Sequence, residues 1–305
     1  MRHFNSVLCA FCILALMLSV PGCKSLEEAA RVAGQVIEEN PELVKEKDRG
    51  KVLTGLKTVS AMMDEIDTQE EIAIGQTMAM RAFGTFGPPC KDPDVARYVA
   101  KVGKLVALQS DRPSLPFSFA VVENDAPNAL ALPGGYIFVT TGLLKRLRSE
   151  HELAAILGHE ITHIAKRHNL EVILRDRRIA GLVDFAQQMD KDVGQYRQFV
   201  DLSYDKLTHE GYDKQYEWAA DVAGTDYAYR AGYHPEGLLP FLYESINSQG
   251  QMRFEVFKTH PDPAVRVAKI KEAIGSLGNY SKMPKLADRY QREALARLTS
   301  AQGGL

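Results

Sequence analysis

Residues 149–163 of this 305-residue chain read Ser-Glu-His-Glu-Leu-Ala-Ala-Ile-Leu-Gly-His-Glu-Ile-Thr-His. The apolar positions recur at helical spacing, and we expect Ser149 to cap the helix while Glu152 completes a capping box. His159 and His163 are four residues apart, so a helix turns both imidazoles onto one face, about 6 Å apart along its axis. That separation lets both rings bind one Zn²⁺. The segment therefore predicts a helix that supplies two ligands of a metal site.

Glu160 follows the first of these histidines and is turned about 100° from it on the helix. Its carboxylate can therefore lie beside a metal without binding it, and can take a proton from metal-bound water. Chance alone gives this pattern in roughly one or two chains of this length per hundred. A well-capped helix with an apolar opposite face is not expected from chance, so we interpret the pattern as a metal site.

The third metal ligand is not a histidine on the same helix. In one known pattern, His-Glu-x-x-His is followed by a glycine and a third histidine that also binds the metal. In this chain the glycine position is Lys166 and the histidine position is Asn169, so the pattern is not present. His168 is one position early and projects about 140° from His163 on a continuing helix. We therefore expect His168 to be a polar surface or packing residue.

Glu217 and Asp221 suggest a carboxylate ligand from a second helix. They are four residues apart and share one helix face. Glu217 can bind the metal, and Asp221 can accept the N–H of a metal-binding histidine and fix its tautomer. A solvent-exposed carboxylate pair is the alternative interpretation. Small residues would let this helix approach the first one closely: Ala219, Ala220, Ala223 and Gly224.

The N-terminus predicts export. Residues 4–20 are almost wholly apolar after a basic start, and Val20-Pro21-Gly22-Cys23 follows, which is typical of a secretory signal. The tetrapeptide resembles the bacterial lipobox, so we expect residues 1–22 to be removed and Cys23 to be lipidated. A plain signal peptide with an incidental Cys23 is the alternative. By resemblance to Gram-negative lipoprotein sorting, Lys24 favours the inner leaflet of the outer membrane, facing the periplasm.

The composition is that of an ordinary folded protein. Hydrophobic residues make up 45% and charged residues 25%, and the net charge of −2 does not suggest a nucleic-acid-binding protein. Strand patterns occur only at residues 117–122 and 136–140, whereas helical periods dominate elsewhere. We therefore predict a mainly helical α+β fold with one small β-sheet. Cys90 is the single cysteine expected after the lipidation site, so no intramolecular disulfide is predicted.

These motifs together resemble metallopeptidase family 48, the gluzincins that include the CAAX prenyl proteases and the HtpX-like bacterial enzymes. The lipobox and the single apolar run are most similar to the periplasmic lipoprotein branch. The resemblance implies a zincin-like domain over residues 68–275, with the sheet beside the active-site helix and one Zn²⁺ per chain. The resemblance to this family also rests on further segments: Glu70–Gly75, Asn128–Val139, Thr141–Leu144, Ala231–Pro235, Thr259–Pro261 and Arg266.

The resemblance also implies where a substrate binds. The strand after Pro133-Gly134-Gly135 would be the sheet edge along which an extended peptide pairs its backbone. The expected substrate-binding residues are Asn128, Gly135, Tyr136 and Ile137. For Asn128, a simple turn residue is the alternative.

Two more roles are implied near the metal. His260 would be a gating ligand that occupies the position of the water, although its spacing alone makes it a loop end. Arg266 would stabilise the oxyanion of the tetrahedral intermediate. Residues 249–259 would form a movable lid.

The predicted protein is a zinc-dependent endopeptidase that cleaves misfolded or outer-membrane polypeptides in the periplasm. Its catalytic residues are Glu160, Asp221 and Arg266, and its metal ligands are His159, His163 and Glu217. The alternative is a lipid-anchored, zinc-stabilised assembly or chaperone factor, with outer-membrane partners and a gated or little-used protease site. A zinc enzyme for small molecules would need a closed pocket instead of a strand-lined groove. The predicted peptidase domain covers residues 68–275. It is preceded by the signal peptide at 1–22 and a tether with helices at 23–67, and it is followed by a C-terminal helix and tail at 276–305.

Overall fold

The computed structural model describes residues 26–44, 46–63, 66–174, 203–209, 211–244 and 263–300. Its helices and strands are α1 (Leu26–Glu39), α2 (Glu46–Met63), α3 (Thr68–Thr85), α4 (Pro93–Ala107), β1 (Ser118–Val122), β2 (Ala129–Leu132), β3 (Tyr136–Thr140), α5 (Thr141–Leu144), α6 (Glu150–Ala165), α7 (Lys214–Arg230), α8 (Leu238–Glu244), α9 (Pro263–Gly275), α10 (Ala287–Tyr290) and α11 (Ala296–Ser300). Residues 168–174 and 203–209 are also helical. Short 3-10 turns lie at Pro41–Leu43, Pro133–Gly135 and Pro235–Gly237, and Gln291–Leu295 form a π-helical turn. The predicted mainly helical α+β class is confirmed.

The chain forms two compact units. The first contains residues 1–66 and 172–199, and in its described part α1 and α2 pack against each other. The second contains residues 67–171 and 200–305 and carries every described candidate site residue. None of the described helices is both long and apolar enough to span a membrane.

The sheet corrects the predicted substrate edge. Its strand order is β1-β3-β2, with β1 parallel and β2 antiparallel to β3. Both sides of β3 are therefore paired, so Tyr136 and Ile137 lie on the central strand and cannot offer a sheet edge. Gly134 and Gly135, with φ of 73° and 98°, reverse the chain between β2 and β3. Among the described residues, β2 is an outer strand with one side unpaired, although its four residues are buried. Its Ala-Leu-Ala-Leu sequence has little strand propensity and was not predicted.

The active-site helix α6 is the centre of the second unit. All of its side chains are buried, and it packs against α4 and α7. The contact with α7 is backbone to backbone, because a Cβ atom on Gly158 would lie 2.5 Å from the Gly224 carbonyl oxygen. The small residues predicted on the second helix thus allow the two helices to meet closely.

The start of α6 differs from the predicted capping box. Ser149 Oγ donates a hydrogen bond to Glu152 Oε1 at 2.9 Å and contacts His151 Nδ1 at 2.6 Å. Glu152 Oε2 accepts from the Arg148 N–H at 3.1 Å instead of from Ser149. The serine and glutamate therefore bind each other, and their bond fixes the turn that enters the helix.

The C-terminal residues pack into this same unit. Tyr290, Ala294 and Leu298 are buried in its hydrophobic core. Arg289 forms a two-pronged ion pair with Glu150 in the first turn of α6. The helices after residue 276 thus complete the core around the active-site helix.

Candidate active site

The predicted metal ligands come together between α6 and α7. His159 Nε2 lies 3.1 Å from His163 Nε2 and 3.6 Å from Glu217 Oε2, and His163 Nε2 lies 3.4 Å from Glu217 Oε1. All three side chains are buried. Within the described chain this is the group of His, Cys, Asp and Glu side chains that could hold a metal ion. We call these three residues the metal centre.

Both histidines of the metal centre are oriented through their second ring nitrogen. His159 Nδ1 lies 3.0 Å from Asp221 Oδ1, and His163 Nδ1 lies 3.2 Å from His168 Nδ1. Each Nδ1 contact turns the corresponding Nε2 towards the other ligands, which is the usual arrangement around a metal-binding histidine. Asp221 thus lies where the helix spacing predicted it.

His168 contacts the metal centre because α6 does not continue. The helix ends at Ala165, and Arg167 has a left-handed φ of 60°, so the chain turns before His168 begins the next helical segment. A separation of 140° between His163 and His168 holds only on an unbroken helix. His168 is buried and stacks on Tyr216 with 4.4 Å between the ring centroids. The prediction of a packing residue is therefore confirmed, and the alternative of a surface residue is wrong.

Burial sets the protonation state of His159. Desolvation lowers its pKa, although the neighbouring Asp221 and Glu217 carboxylates oppose that effect. The imidazole is therefore neutral near pH 7, which is the form that binds metals.

Asp221 is held by Arg266 as well as by His159. Arg266 Nε and Nη2 donate to the two carboxylate oxygens of Asp221 at 2.8 and 2.7 Å. Burial alone would raise the pKa of Asp221, but the Arg266 charge and the hydrogen bonds lower it, so the carboxylate stays ionised. Arg266 Nη1 lies 3.5 Å from Glu217 Oε2. The structure thus places Arg266 against two acidic residues of the site, and its oxyanion role stays a prediction.

Glu160 lines a narrow cleft beside the metal centre. Asn128 and residues 129–131 of β2 form one wall, and Leu207, Thr208, Gly211 and Tyr212 form the other, with Phe86 at the end. The space between the walls is about 20 Å³, room for roughly one water molecule. The outer strand β2 therefore borders the same cleft as the carboxylate predicted to be the general base.

The other predicted substrate residues divide between cleft and sheet. Asn128 lines the cleft, and its backbone N–H and C=O are bound by Thr140 Oγ1 and the Thr140 N–H at 2.9 and 3.0 Å. Gly135, Tyr136 and Ile137 lie in the turn and on the central strand instead. Cys23, His260 and the lid predicted at 249–259 fall outside the described residues.

Two histidines and a glutamate from crossing helices, with a further glutamate beside them in a strand-lined cleft, form the site of a metallopeptidase. The sequence profile of Peptidase family M48 matches residues 93–274. The chain belongs to peptidase family M48. This membership confirms the family resemblance and identifies the chain with a family of metalloendopeptidases.

Individual relatives agree with the family. The chain is 30% identical over 177 residues to the mitochondrial metalloendopeptidase OMA1 of Schizosaccharomyces pombe, covering 57% of this chain and 52% of that protein. It is 26% identical over 214 residues to the beta-barrel assembly-enhancing protease of Escherichia coli K12, covering 65% of this chain and 43% of that protein. The matched region thus spans about half the length of these relatives.

Two residues of the site and the β2 part of one cleft wall were not predicted from the sequence. His168 was hidden by the helix break, and Tyr212 belongs to no metal-binding motif. The β2 wall was missed because alternating Ala and Leu do not distinguish strand from helix. The sequence feature that could have indicated Tyr212 is its position five residues before the third metal ligand, Glu217.

Proposed function

We propose that this chain is a zinc-dependent endopeptidase that cleaves misfolded or outer-membrane proteins in the periplasm. The observation that carries the proposal is the juxtaposition of the metal centre, Glu160 and the outer strand β2. A sheet edge binds extended polypeptide through its backbone, whatever the side chains. The combination therefore favours a protein substrate over a small molecule.

The ligand set fits zinc. Tetrahedral Zn²⁺ with bonds of 2.0–2.1 Å needs ligand atoms about 3.3 Å apart. The three measured separations are 3.1, 3.4 and 3.6 Å. Bound there by His159, His163 and Glu217, zinc would supply a Lewis acid that polarises the scissile carbonyl and lowers the pKa of water.

The protein's own residues provide the proton transfers and the alignment. Glu160 takes a proton from the attacking water and delivers it to the leaving amine. The outer strand β2 holds the substrate backbone extended beside that carboxylate. Asp221 holds His159 in the orientation that directs Nε2 towards the other ligands.

The proposed location rests on the N-terminal sequence. The lipobox-like Val20-Pro21-Gly22-Cys23 supports lipid attachment, and Lys24 supports the inner leaflet of the outer membrane. The similarity to the beta-barrel assembly-enhancing protease supports outer-membrane assembly partners. In a Gram-negative host, Cys23→Ser should move the chain out of the outer-membrane fraction. Retention there, with the native mobility on a gel, would contradict the anchor.

A second function is favoured by the narrowness of the cleft. A space of about 20 Å³ is too small for an extended peptide, so the two walls must separate before a substrate enters. A lipid-anchored, zinc-stabilised assembly factor with a gated or little-used protease site would keep the walls together. Such a factor would bind its clients without cutting them.

Glu160→Gln distinguishes the two functions. We expect casein cleavage by the purified full-length chain to fall by about 10²–10⁴-fold, because the general base is lost. Zinc content should stay near one per chain, because the three ligands are intact. The matched control is Glu171→Gln, an exposed glutamate in which the same change should have no effect.

The outcomes separate the possibilities. Cleavage that persists in Glu160→Gln would contradict this general base. Failure of the native chain to cleave, with zinc bound, would favour the assembly factor. Absence of zinc from native chain and variant would contradict both functions.

A further inference from the structure

Tyr212 is packed directly against the metal centre. Its ring lies parallel to the His163 ring, with 3.9 Å between centroids and 14° between planes. Gly211 has a φ of 74° and turns the chain immediately before Tyr212. Tyr212 itself lies two residues before the start of α7. The tyrosine thereby lines the cleft and contacts a metal ligand at the same time.

The hydroxyl of Tyr212 is buried without a hydrogen bond. It is one of the buried side-chain oxygens that find no partner in the described structure, and the whole residue is 8% exposed. Such a group costs about 1–3 kcal/mol relative to a satisfied one. A buried hydroxyl without a partner calls for an explanation, and a ligand bound in the cleft supplies one.

A phenol hydroxyl can donate a hydrogen bond because it carries its own proton. Tyr212 and Glu160 line the same cleft, which places the tyrosine beside the carboxylate predicted to be the general base.

We propose that Tyr212 is a further catalytic residue, whose hydroxyl donates a hydrogen bond to the oxyanion of the tetrahedral intermediate. This inference rests on the proposed peptidase function. The cleft lined by Tyr212 and Glu160 is the place where the scissile peptide bond must lie beside the general base. Negative charge develops there on the carbonyl oxygen during attack, and a preorganised neutral donor stabilises it. No bond to the phenol is made or broken, and its proton stays on the oxygen.

The structure favours Tyr212 over Arg266 for this contact. Two of the Arg266 nitrogens are engaged by Asp221, and the third lies beside Glu217. Using Arg266 as the donor would require one of these ion pairs to change. The Tyr212 hydroxyl has no hydrogen bond to give up in the described structure.

Tyr212→Phe tests the proposal because it removes the hydroxyl and keeps the ring that stacks on His163. In the full-length zinc-loaded chain we expect kcat on a fluorogenic peptide to fall by about 10²-fold, with little change in KM. A phosphinic peptide, which mimics the tetrahedral intermediate, should bind correspondingly more weakly. Zinc content should be unchanged, and the unfolding temperature should be equal or higher, since a buried unsatisfied hydroxyl has been removed.

Two further variants complete the test. Tyr229→Phe, the same change on the half-buried part of α7, should behave as the native chain. Tyr212→Ala removes ring and hydroxyl together. If Tyr212→Phe cleaves and binds the phosphinic peptide like the native chain while Tyr212→Ala is impaired, the residue only positions His163 and the proposal is overturned.

The proposed peptidase function fails in a different way. In that case the zinc-loaded native chain would neither cleave the peptide nor bind the phosphinic probe, and the inference would fall with it. Native activity that is lost in Glu160→Gln and unchanged in Tyr212→Phe would overturn the inference alone.

Discussion

At the scale of single residues, one carboxylate connects the metal centre to its surroundings. Asp221 accepts from His159 with one oxygen and from Arg266 with both, and it is completely buried. A buried ionised carboxylate is tolerated only when such partners compensate its desolvation. The same interactions that stabilise Asp221 therefore orient a metal ligand.

Asp221→Asn should weaken metal binding and stability together. We expect zinc affinity to fall by about 10–100-fold, because the His159 ring loses its charged acceptor. We also expect the metal-free protein to lose about 3 kcal/mol, because the Arg266 charge loses its main counterion. Competition with a chelator measures the first effect, and denaturant unfolding with excess chelator measures the second.

A control for this variant lies one turn further along α7. Asp226 forms an exposed pair with Arg230, with 2.8 Å between Oδ2 and Nε. Asp226→Asn should change stability by about 0.5 kcal/mol or less and leave zinc affinity unchanged. Equal effects of the two variants would contradict a special role for Asp221.

The sequence predicted those site residues whose roles depend on spacing within one helix. His159, Glu160 and His163, and likewise Glu217 and Asp221, follow from the 3.6-residue period alone. His168 and Tyr212 could not be predicted that way, because each reaches the site through a turn in the left-handed conformation. In both cases the position depends on backbone angles at Arg167 or Gly211 that the helix period does not contain.

At the scale of secondary-structure elements, the site exists because α6 and α7 touch through their backbones. Gly158 and Gly224 face each other, and a Cβ atom on Gly224 would lie 2.5 Å from the His159 backbone nitrogen. Two metal ligands come from one helix and the third from the other. The separation of the helices therefore sets the ligand distances.

Gly224→Ala should damage the site despite the higher helix propensity of alanine. The added methyl must push α7 away from α6, at a cost of about 1–3 kcal/mol, and the shift carries Glu217 away from the histidines. We expect weaker zinc binding, measured by chelator competition, and a lower unfolding temperature. Gly84→Ala is the matched control, since its Cβ meets nothing within 4 Å and should stabilise α3 by up to about 1 kcal/mol.

The sheet was only half predictable from sequence. Strands β1 and β3 carry β-branched and aromatic residues and were predicted within one residue of their bounds. Strand β2 is formed by Ala and Leu, and it is a strand because the turn at Gly134 and Gly135 folds it onto β3. Tertiary contacts thus override local propensity at the strand that borders the active site.

At the scale of the whole molecule, the C-terminal residues stabilise the helix that carries the chemistry. Glu150, in the first turn of α6, is 1% exposed and binds Arg289 through both oxygens. Tyr98 and Tyr233 each donate a hydrogen bond to it at 2.7 Å. One carboxylate therefore joins α4, α10 and the segment after α7 to the active-site helix.

Arg289→Ala tests whether this cluster stabilises the whole unit. The variant leaves Glu150 buried with two neutral donors and no cation, and removal of one member of a buried pair costs about 3 kcal/mol or more. Because half of the Arg289 side chain is exposed to water, we expect the lower end of that range. Denaturant unfolding of the metal-free protein measures the loss, and Arg292→Ala, an exposed arginine two residues beyond α10, should show almost none. With zinc bound, the activity of Arg289→Ala per folded molecule should equal that of the native chain, because no ligand or cleft residue has moved. A variant that keeps native stability would show that α10 packs on the unit without supporting it.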